Sequence, residues 1–155
     1  MRARLDPFDD RNSQDSFLPA MVSVDPEHGL IHAMNTGTGQ FIAMALDTTT
    51  EKPALTQKWE ASQYSFSYTS LVGPDAKRVI VASDIPVFHE PDSTYSTPYH
   101  HEQVVWRAAD TGEELARSPM LTPMSRGAAL SPGPDGTIYY PGANGQIVEL
   151  SVTSS

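Results

Sequence analysis

The sequence contains no cysteine among its 155 residues. This absence excludes a disulfide framework, a thiolate metal site and a cysteine nucleophile. Charged residues are scarce, at 19%, and ten Lys and Arg are scattered among 19 Asp and Glu, which gives a net charge of −9. A chain of this charge without a basic cluster is not expected to bind nucleic acid, because phosphate contacts need grouped positive charge.

Long apolar runs are also missing, and no uncharged stretch approaches the roughly 20 residues that a membrane-spanning helix needs. No membrane span is therefore predicted. The N-terminus begins with basic residues, but no apolar segment follows them, as it would in a signal peptide. A complete chain of this kind is expected in the cytoplasm, whereas a C-terminal part of a longer protein would follow that protein's own signal.

Residues 1–17 are polar and acidic. Residues 10–15 place oxygen-bearing side chains at alternating positions, as a calcium loop does, but the glycine of its sharp turn and its later glutamate are absent. We expect 1–17 to form a solvated lead-in segment before the folded part of the chain.

Turns that introduce a β-branched run occur three times, at residues 25–34, 73–83 and 133–140. Each has a proline early in the turn, at Pro26, Pro74 and Pro134. Proline fixes φ for the first central position of a reverse turn, and Asp, Asn or Gly suits the next ones. The pattern predicts three copies of a unit that begins with a turn and a strand.

A second strand that begins with glutamine follows each turn, at residues 40–46, 103–109 and 146–150. The second unit is longer than the others by an insertion of about 15 residues, at roughly 85–102. Units of about 45 to 60 residues with four short strands are typical of β-propeller blades. The sequence predicts an all-β fold, a partial propeller of about three blades with up to four antiparallel strands each, at about 18–61, 64–119 and 127–152, the third lacking its last strand.

Two local alternatives concern the end of the first unit and the start of the second. Residues 54–63 lack Gly and Pro and place Leu55 and Trp59 at helical spacing, but the matching segment of the next unit favours an outer strand. Tyr64, Phe66 and Tyr68 alternate as one face of a strand would, which predicts core packing between blades.

The combination of turn, strand and a second strand that ends in Asp-Thr-Gly-Glu at 110–113 resembles the quinoprotein (PQQ-like) propeller repeat, over most of residues 18–151. The resemblance implies that Trp59 docks neighbouring blades and that Thr111 and Gly112 form the associated turn. The second unit has Ala116 in the tryptophan position. Quinoprotein dehydrogenases hold PQQ and calcium beneath a vicinal disulfide, which a chain without cysteine cannot form, so no cofactor is predicted and PQQ with calcium is only an alternative.

The densest group of polar side chains lies in the insertion. His89, with His100 or His101 and a carboxylate from Glu90 or Glu102, would supply three ligands to zinc and leave a position for water. Prolines 91 and 98 exclude a helix here, and adjacent histidines point to opposite sides of an extended chain. The simpler interpretation is a solvated loop.

The sequence favours a non-catalytic binding or scaffold segment of a PQQ-like propeller. The alternative is an enzyme of quinoprotein dehydrogenase or metal-dependent hydrolase type that uses the insertion. Because a propeller needs at least four blades to close, two flanks are expected to be exposed, around 21–24 and at 147–152. The predicted partners are the remaining blades of a longer chain or a second copy, with a protein or small-molecule ligand on the loop face.

Overall fold

The structure, a computed structural model, describes residues 21–49, 53–74, 77–94, 96–124 and 128–152. The predicted lead-in segment at 1–17, the calcium alternative within it and the first residues of the first unit lie outside these ranges. The described residues form eleven β-strands and short 3-10 turns, with no α-helix among them. The fold is therefore all-β, as predicted.

The strands form three antiparallel sheets. Sheet one contains β1 (Met21–Asp25), β2 (Leu30–Asn35), β3 (Gln40–Asp47) and β4 (Ala54–Ser62). Sheet two contains β5 (Ser70–Val72), β6 (Val79–Asp84), β7 (Gln103–Ala108) and β8 (Glu114–Arg117). Sheet three contains β9 (Ser131–Pro132), β10 (Ile138–Pro141) and β11 (Ile147–Leu150). In each sheet every strand pairs with the next along the chain, so that the three have the same meander topology.

The strands predicted after the three turns are β2, β6 and β10, and the predicted Gln-led strands are β3, β7 and β11, although β11 begins at Ile147, one residue after its glutamine. Gly73, in the turn before β6, has a φ of +87°, a conformation that glycine adopts without strain. The outer strand predicted in place of a helix at 54–63 is confirmed, since β4 pairs with β3 from Asp47 opposite Ala54 to Gln40 opposite Ser62.

The core lies between the sheets. Sheet one packs against sheet two through a cluster with Met34, Phe41, Ala43 and Trp59 on one side and Ile80 and Ala82 on the other. Sheet two packs against sheet three through Val81, Val104 and Trp106 on one side and Leu130, Ile138 and Tyr140 on the other. Sheet two thus buries one face against sheet one and the other face against sheet three.

In both four-stranded sheets, one large and one small residue face each other at the same position of the third and fourth strands. Trp59 on β4 lies opposite Ala43 on β3, whereas in sheet two Ala116 on β8 lies opposite Trp106 on β7. A register shift follows this pair in both sheets. The tryptophan that the second repeat lacks on its outer strand is therefore present on its third strand, where it fills the corresponding space in the core.

The prediction for Tyr64, Phe66 and Tyr68 as one strand face is wrong. These residues lie in the connection between β4 and β5, before the strand begins at Ser70. Phe66 packs with the insertion, while Tyr68 is 53% exposed and makes an isolated parallel bridge with Ala129. Within the described ranges, the structure has no helix of the length and apolar character needed to cross a membrane.

Candidate functional site

Connections from all three sheets meet at one end of the molecule, which we call the loop end. The backbone N–H of Gln63 donates to Gly39 O at 2.8 Å, which joins the β4–β5 connection to the β2–β3 turn. The N–H of Ile85 donates to Tyr64 O at 2.8 Å and fixes the start of the insertion, residues 85–102. The N–H of Ala143, in the β10–β11 turn, donates to Pro123 O, which belongs to the β8–β9 connection. The insertion therefore lies among the connections between sheets.

An aromatic cluster anchors the insertion. Phe88 makes edge-to-face contacts with Phe66, at 5.6 Å between ring centroids, and with Tyr99, also at 5.6 Å. Phe88 is buried, and so is Ile85, which packs in the same cluster. The segment is thus packed on the body of the protein through its apolar residues, although many of its polar side chains reach solvent.

A pocket of about 310 Å³ lies between the insertion and the β8–β9 connection. Its lining comprises Pro86, Val87, Pro98, Tyr99, His100, His101 and, from the connection, Met120. Met120 is 55% exposed at the edge of the pocket. The lining is mainly apolar, so the pocket suits an apolar group.

Glu102 is the polar residue at the base of this region. It is 2% exposed, and its Oε2 accepts a hydrogen bond from the Tyr140 hydroxyl at 3.3 Å. Tyr99, Ser83 and the backbone N–H of Met124 also donate to its carboxyl group. Burial raises the pKa of Glu102 to about 7, and these four donors offset part of that rise.

Three buried serines lie beside Glu102. Ser65, Ser67 and Ser83 bond to one another through their hydroxyls, at 2.6 Å for Ser65–Ser83 and 2.9 Å for the other two pairs. Close by, the buried Gln63 donates to Ser83 O and accepts from Arg107 Nε at 2.8 Å. Buried polar groups without partners are costly, so this connected network holds the β4–β5 connection in one arrangement.

The five residues proposed as metal ligands have separate surroundings. His89 Nε2 bonds to Asp84 Oδ1 at 2.9 Å, Glu90, His100 and His101 are exposed, and Glu102 is buried. Over the described ranges, no group of three or more His, Asp or Glu side chains is placed to hold a metal ion. The structure therefore does not bring these residues together as a ligand set, and the metal site stays a prediction.

Trp59 contacts the turn that follows β7. Its indole N–H donates to Ala109 O at 2.9 Å, and its ring covers Gly112 so closely that a Cβ at that position would lie 2.6 Å from it. Gly112 has a φ of +75°, which also favours glycine. Thr111 accepts a hydrogen bond from the N–H of Glu113 at 3.3 Å and so shapes the same turn.

His32, which no pattern in the sequence singles out, completes this contact. Its Nε2 lies 2.8 Å from Ala109 O, and since a carbonyl only accepts, Nε2 carries the proton. Burial lowers the pKa of His32. Two rings of sheet one therefore donate to a single carbonyl of sheet two. The serine network and Arg107 were also missed, because isolated serines and one arginine have no spacing that indicates a site.

Comparisons of the chain with protein-family models, curated proteins and solved structures found no match. The candidate site therefore depends on the geometry of the loop end and of the contact around Trp59.

Proposed function

We propose that the chain forms consecutive blades of a PQQ-like β-propeller and serves as a non-catalytic binding or scaffold segment. The repeated meander supports this arrangement, as do contacts between the inner strands. Ser23 in β1 and Thr69, which precedes β5, share a hydrogen bond between their hydroxyls. Ser70 Oγ, in β5, donates to Leu130 O, next to β9, at 2.8 Å. In a propeller, the first strands of the blades lie side by side around the axis in this way.

The observation that carries the proposal is the contact of Trp59 with Ala109 and Gly112. A tryptophan on an outer strand donates to, and covers, the Asp-Thr-Gly turn of the following sheet. The PQQ-like resemblance assigns the same residues to blade docking. A contact with this position and chemistry supports a docking role for Trp59 beyond general core packing.

Exposed apolar residues at the flank of the third sheet support partners that extend the series of blades. Ile147 occupies the position after the glutamine that Phe41 and Val104 occupy in sheets one and two. Phe41 and Val104 are 1% and 0% exposed because the next sheet covers them, whereas Ile147 is 75% exposed. Further blades of a longer chain, or of a second copy, would cover it.

The pocket beside the insertion is the proposed ligand site, for an apolar part of a protein or small molecule. Binding without chemistry is the simplest role for it, because its polar groups, His100 and His101, lie on a mainly apolar lining. The enzyme alternative needs a metal ion or cofactor bound at the insertion, so a measurement of metal binding helps to separate the two functions.

We expect the full chain to bind no stoichiometric Zn²⁺ through the insertion. Isothermal titration with Zn²⁺, and metal analysis after dialysis, should give the same result for the wild type and for the H89A/H100A/H101A variant. His28→Ala, which changes an imidazole at the opposite end of the sheets, is the matched control. One equivalent of Zn²⁺ that binds the wild type and the control but not the triple variant would contradict the scaffold proposal and favour the metal-dependent enzyme.

A further inference from the structure

The outer edge of sheet three is open. β11 pairs with β10 on one side, and in the described part of the chain no strand pairs with its other side. In sheets one and two the third strand has a partner on both sides, because β4 pairs with β3 and β8 pairs with β7. The N–H and C=O groups of β11 that point away from β10 therefore offer hydrogen bonds to a further strand.

The fourth strand of sheet one places a side chain beside the glutamine that begins the third strand. Glu60 on β4 lies opposite Ile42, which follows Gln40 by two positions on β3. Gln40 Nε2 donates to Glu60 Oε1 at 3.1 Å. The side chain of the fourth strand thus reaches along the sheet to the leading glutamine.

Sheet two repeats this arrangement with a different residue. Arg117 on β8 lies opposite Val105, which follows Gln103 by two positions on β7. Arg117 Nη1 donates to Gln103 Oε1 at 3.4 Å and to Asp84 Oδ2 at 2.7 Å. In both four-stranded sheets, a long polar side chain of the fourth strand therefore occupies the space beside the leading glutamine.

The same position in sheet three is a pocket of about 180 Å³. Its lining includes Met120, Leu121, Tyr140, Asn144, Gln146 and Val148. Val148 follows Gln146 by two positions on β11, as the receiving residue follows its glutamine in the other sheets. The pocket therefore lies where the fourth strands of sheets one and two place Glu60 and Arg117.

The charge at this edge favours a basic partner. Glu149 is exposed on β11, next to Val148 and on the opposite face. Residues 128–152 contain no Lys or Arg, and the whole chain has a net charge of −9. Pairing with β11 of a second copy would bring two acidic edges together, whereas a Lys or Arg directly opposite Glu149 would be attracted to it.

We propose that β11 binds an extended segment of a basic partner protein as an added antiparallel strand. This segment has a Lys or Arg opposite Glu149 and, as its next residue, a long polar side chain that lies opposite Val148 and enters the pocket. The order follows from antiparallel pairing, in which successive residues of the partner lie opposite β11 residues in reverse. Backbone hydrogen bonds supply affinity and the two side chains supply specificity. The proposal rests on the proposed function in taking sheet three as an incomplete unit of the same repeat.

Titration of the full chain with the peptide acetyl-Val-Thr-Lys-Arg-Val-Thr-amide tests this surface. Calorimetry should give one peptide per chain, and hydrogen exchange should show new protection of the β11 amides that do not bond to β10. Glu149→Lys should weaken binding roughly tenfold, because attraction becomes repulsion, and a peptide with Glu in place of Lys should restore it. Glu27→Lys, the same charge change at an exposed turn, should bind as the wild type does.

Gln146→Ala tests the pocket separately. It should weaken binding of this peptide but not of one with Ala in place of Arg. Both Gln146 and Glu149 are exposed, so the variants keep the core intact.

Three results would overturn the proposal: no protection of β11 by the peptide, an affinity that Glu149→Lys leaves unchanged, or protection of β11 that rises with protein concentration alone. The last would show that a second copy occupies the edge. The titration reports on β11, whereas a cross-link between positions 23 and 69 tests the arrangement of sheets one and two. Either result can therefore fail while the other holds.

Discussion

Replacement of Trp59 by alanine is expected to lower the free energy of unfolding by about 3–5 kcal/mol. The side chain is 8% exposed, packs edge-to-face on Phe41 at 5.2 Å and covers the turn at Gly112. Truncation removes this buried surface and leaves a cavity between sheets one and two, and Ala109 O loses one of its two donors. Denaturant unfolding of the full chain measures the loss.

A double-mutant cycle with Gly112→Ala distinguishes docking from general core packing. The added methyl would lie 2.6 Å from the Trp59 ring, and the φ of +75° adds strain at any side chain. Gly112→Ala should therefore cost more stability in the wild type than in Trp59→Ala, where the clash is absent. An unchanged unfolding midpoint for Trp59→Ala, or strictly additive effects of the two substitutions, would remove the docking argument.

The second large effect is a change in the pH dependence of stability through Glu102. Its pKa is about 7 in the folded protein and near 4.5 in an unfolded chain. Below pH 4.5 the group is protonated in both states and has no effect. Between pH 4.5 and 7 only the unfolded state ionises, so the stability of the wild type falls as pH rises, and above pH 7 it levels off. The total loss is about 3 kcal/mol, which follows from the difference between the two pKa values.

Glu102→Gln should remove this loss. Unfolding free energies measured at several pH values from 5 to 8.5 should differ little between wild type and variant at the acid end and favour the variant at the alkaline end. The comparison of the two proteins isolates Glu102 from other groups, such as His32, whose lowered pKa acts at the acid side. Glu113→Gln serves as the exposed control. Parallel stability curves for wild type and Glu102→Gln would show that Glu102 is not buried as an uncompensated acid.

The order of the strands could be predicted from the sequence because the turns between them depend on a few adjacent residues. Pro26, Pro74 and Pro134 mark turns whose geometry depends on the residues within them, and a strand that begins at or just after a glutamine follows in each unit. The strand predicted from Tyr64 and Phe66 does not form, for the opposite reason. Their alternation fits a strand, but the insertion, which is distant in sequence, packs on Phe66 through Phe88 and Tyr99 and keeps this segment irregular.

The candidate site could be predicted only in part from the sequence. The histidines of the insertion are conspicuous in the sequence, yet the residue there whose pKa is raised is Glu102. Its burial depends on Tyr140 from the third unit and Met124 from the β8–β9 connection, which are distant in sequence. The role of Trp106 could not be predicted either, because the repeat was recognised along single strands. Such a pattern does not show that the large residue of the facing pair lies on the fourth strand in sheet one, as Trp59 opposite Ala43, and on the third strand in sheet two, as Trp106 opposite Ala116.

The proposed arrangement of consecutive blades with adjacent first strands is tested most directly by a cross-link between β1 and the residue that precedes β5. The chain has no cysteine, so a Ser23→Cys/Thr69→Cys variant carries the only two thiols. Because the two hydroxyls are in contact, mild oxidation should form an intramolecular disulfide in nearly every molecule, seen by mass spectrometry as a monomer without free thiols after alkylation. A Ser23→Cys/Ser96→Cys control, with the second thiol in the exposed insertion, should stay reduced. Free thiols in the test variant, or disulfides formed only between chains, would contradict the blade arrangement.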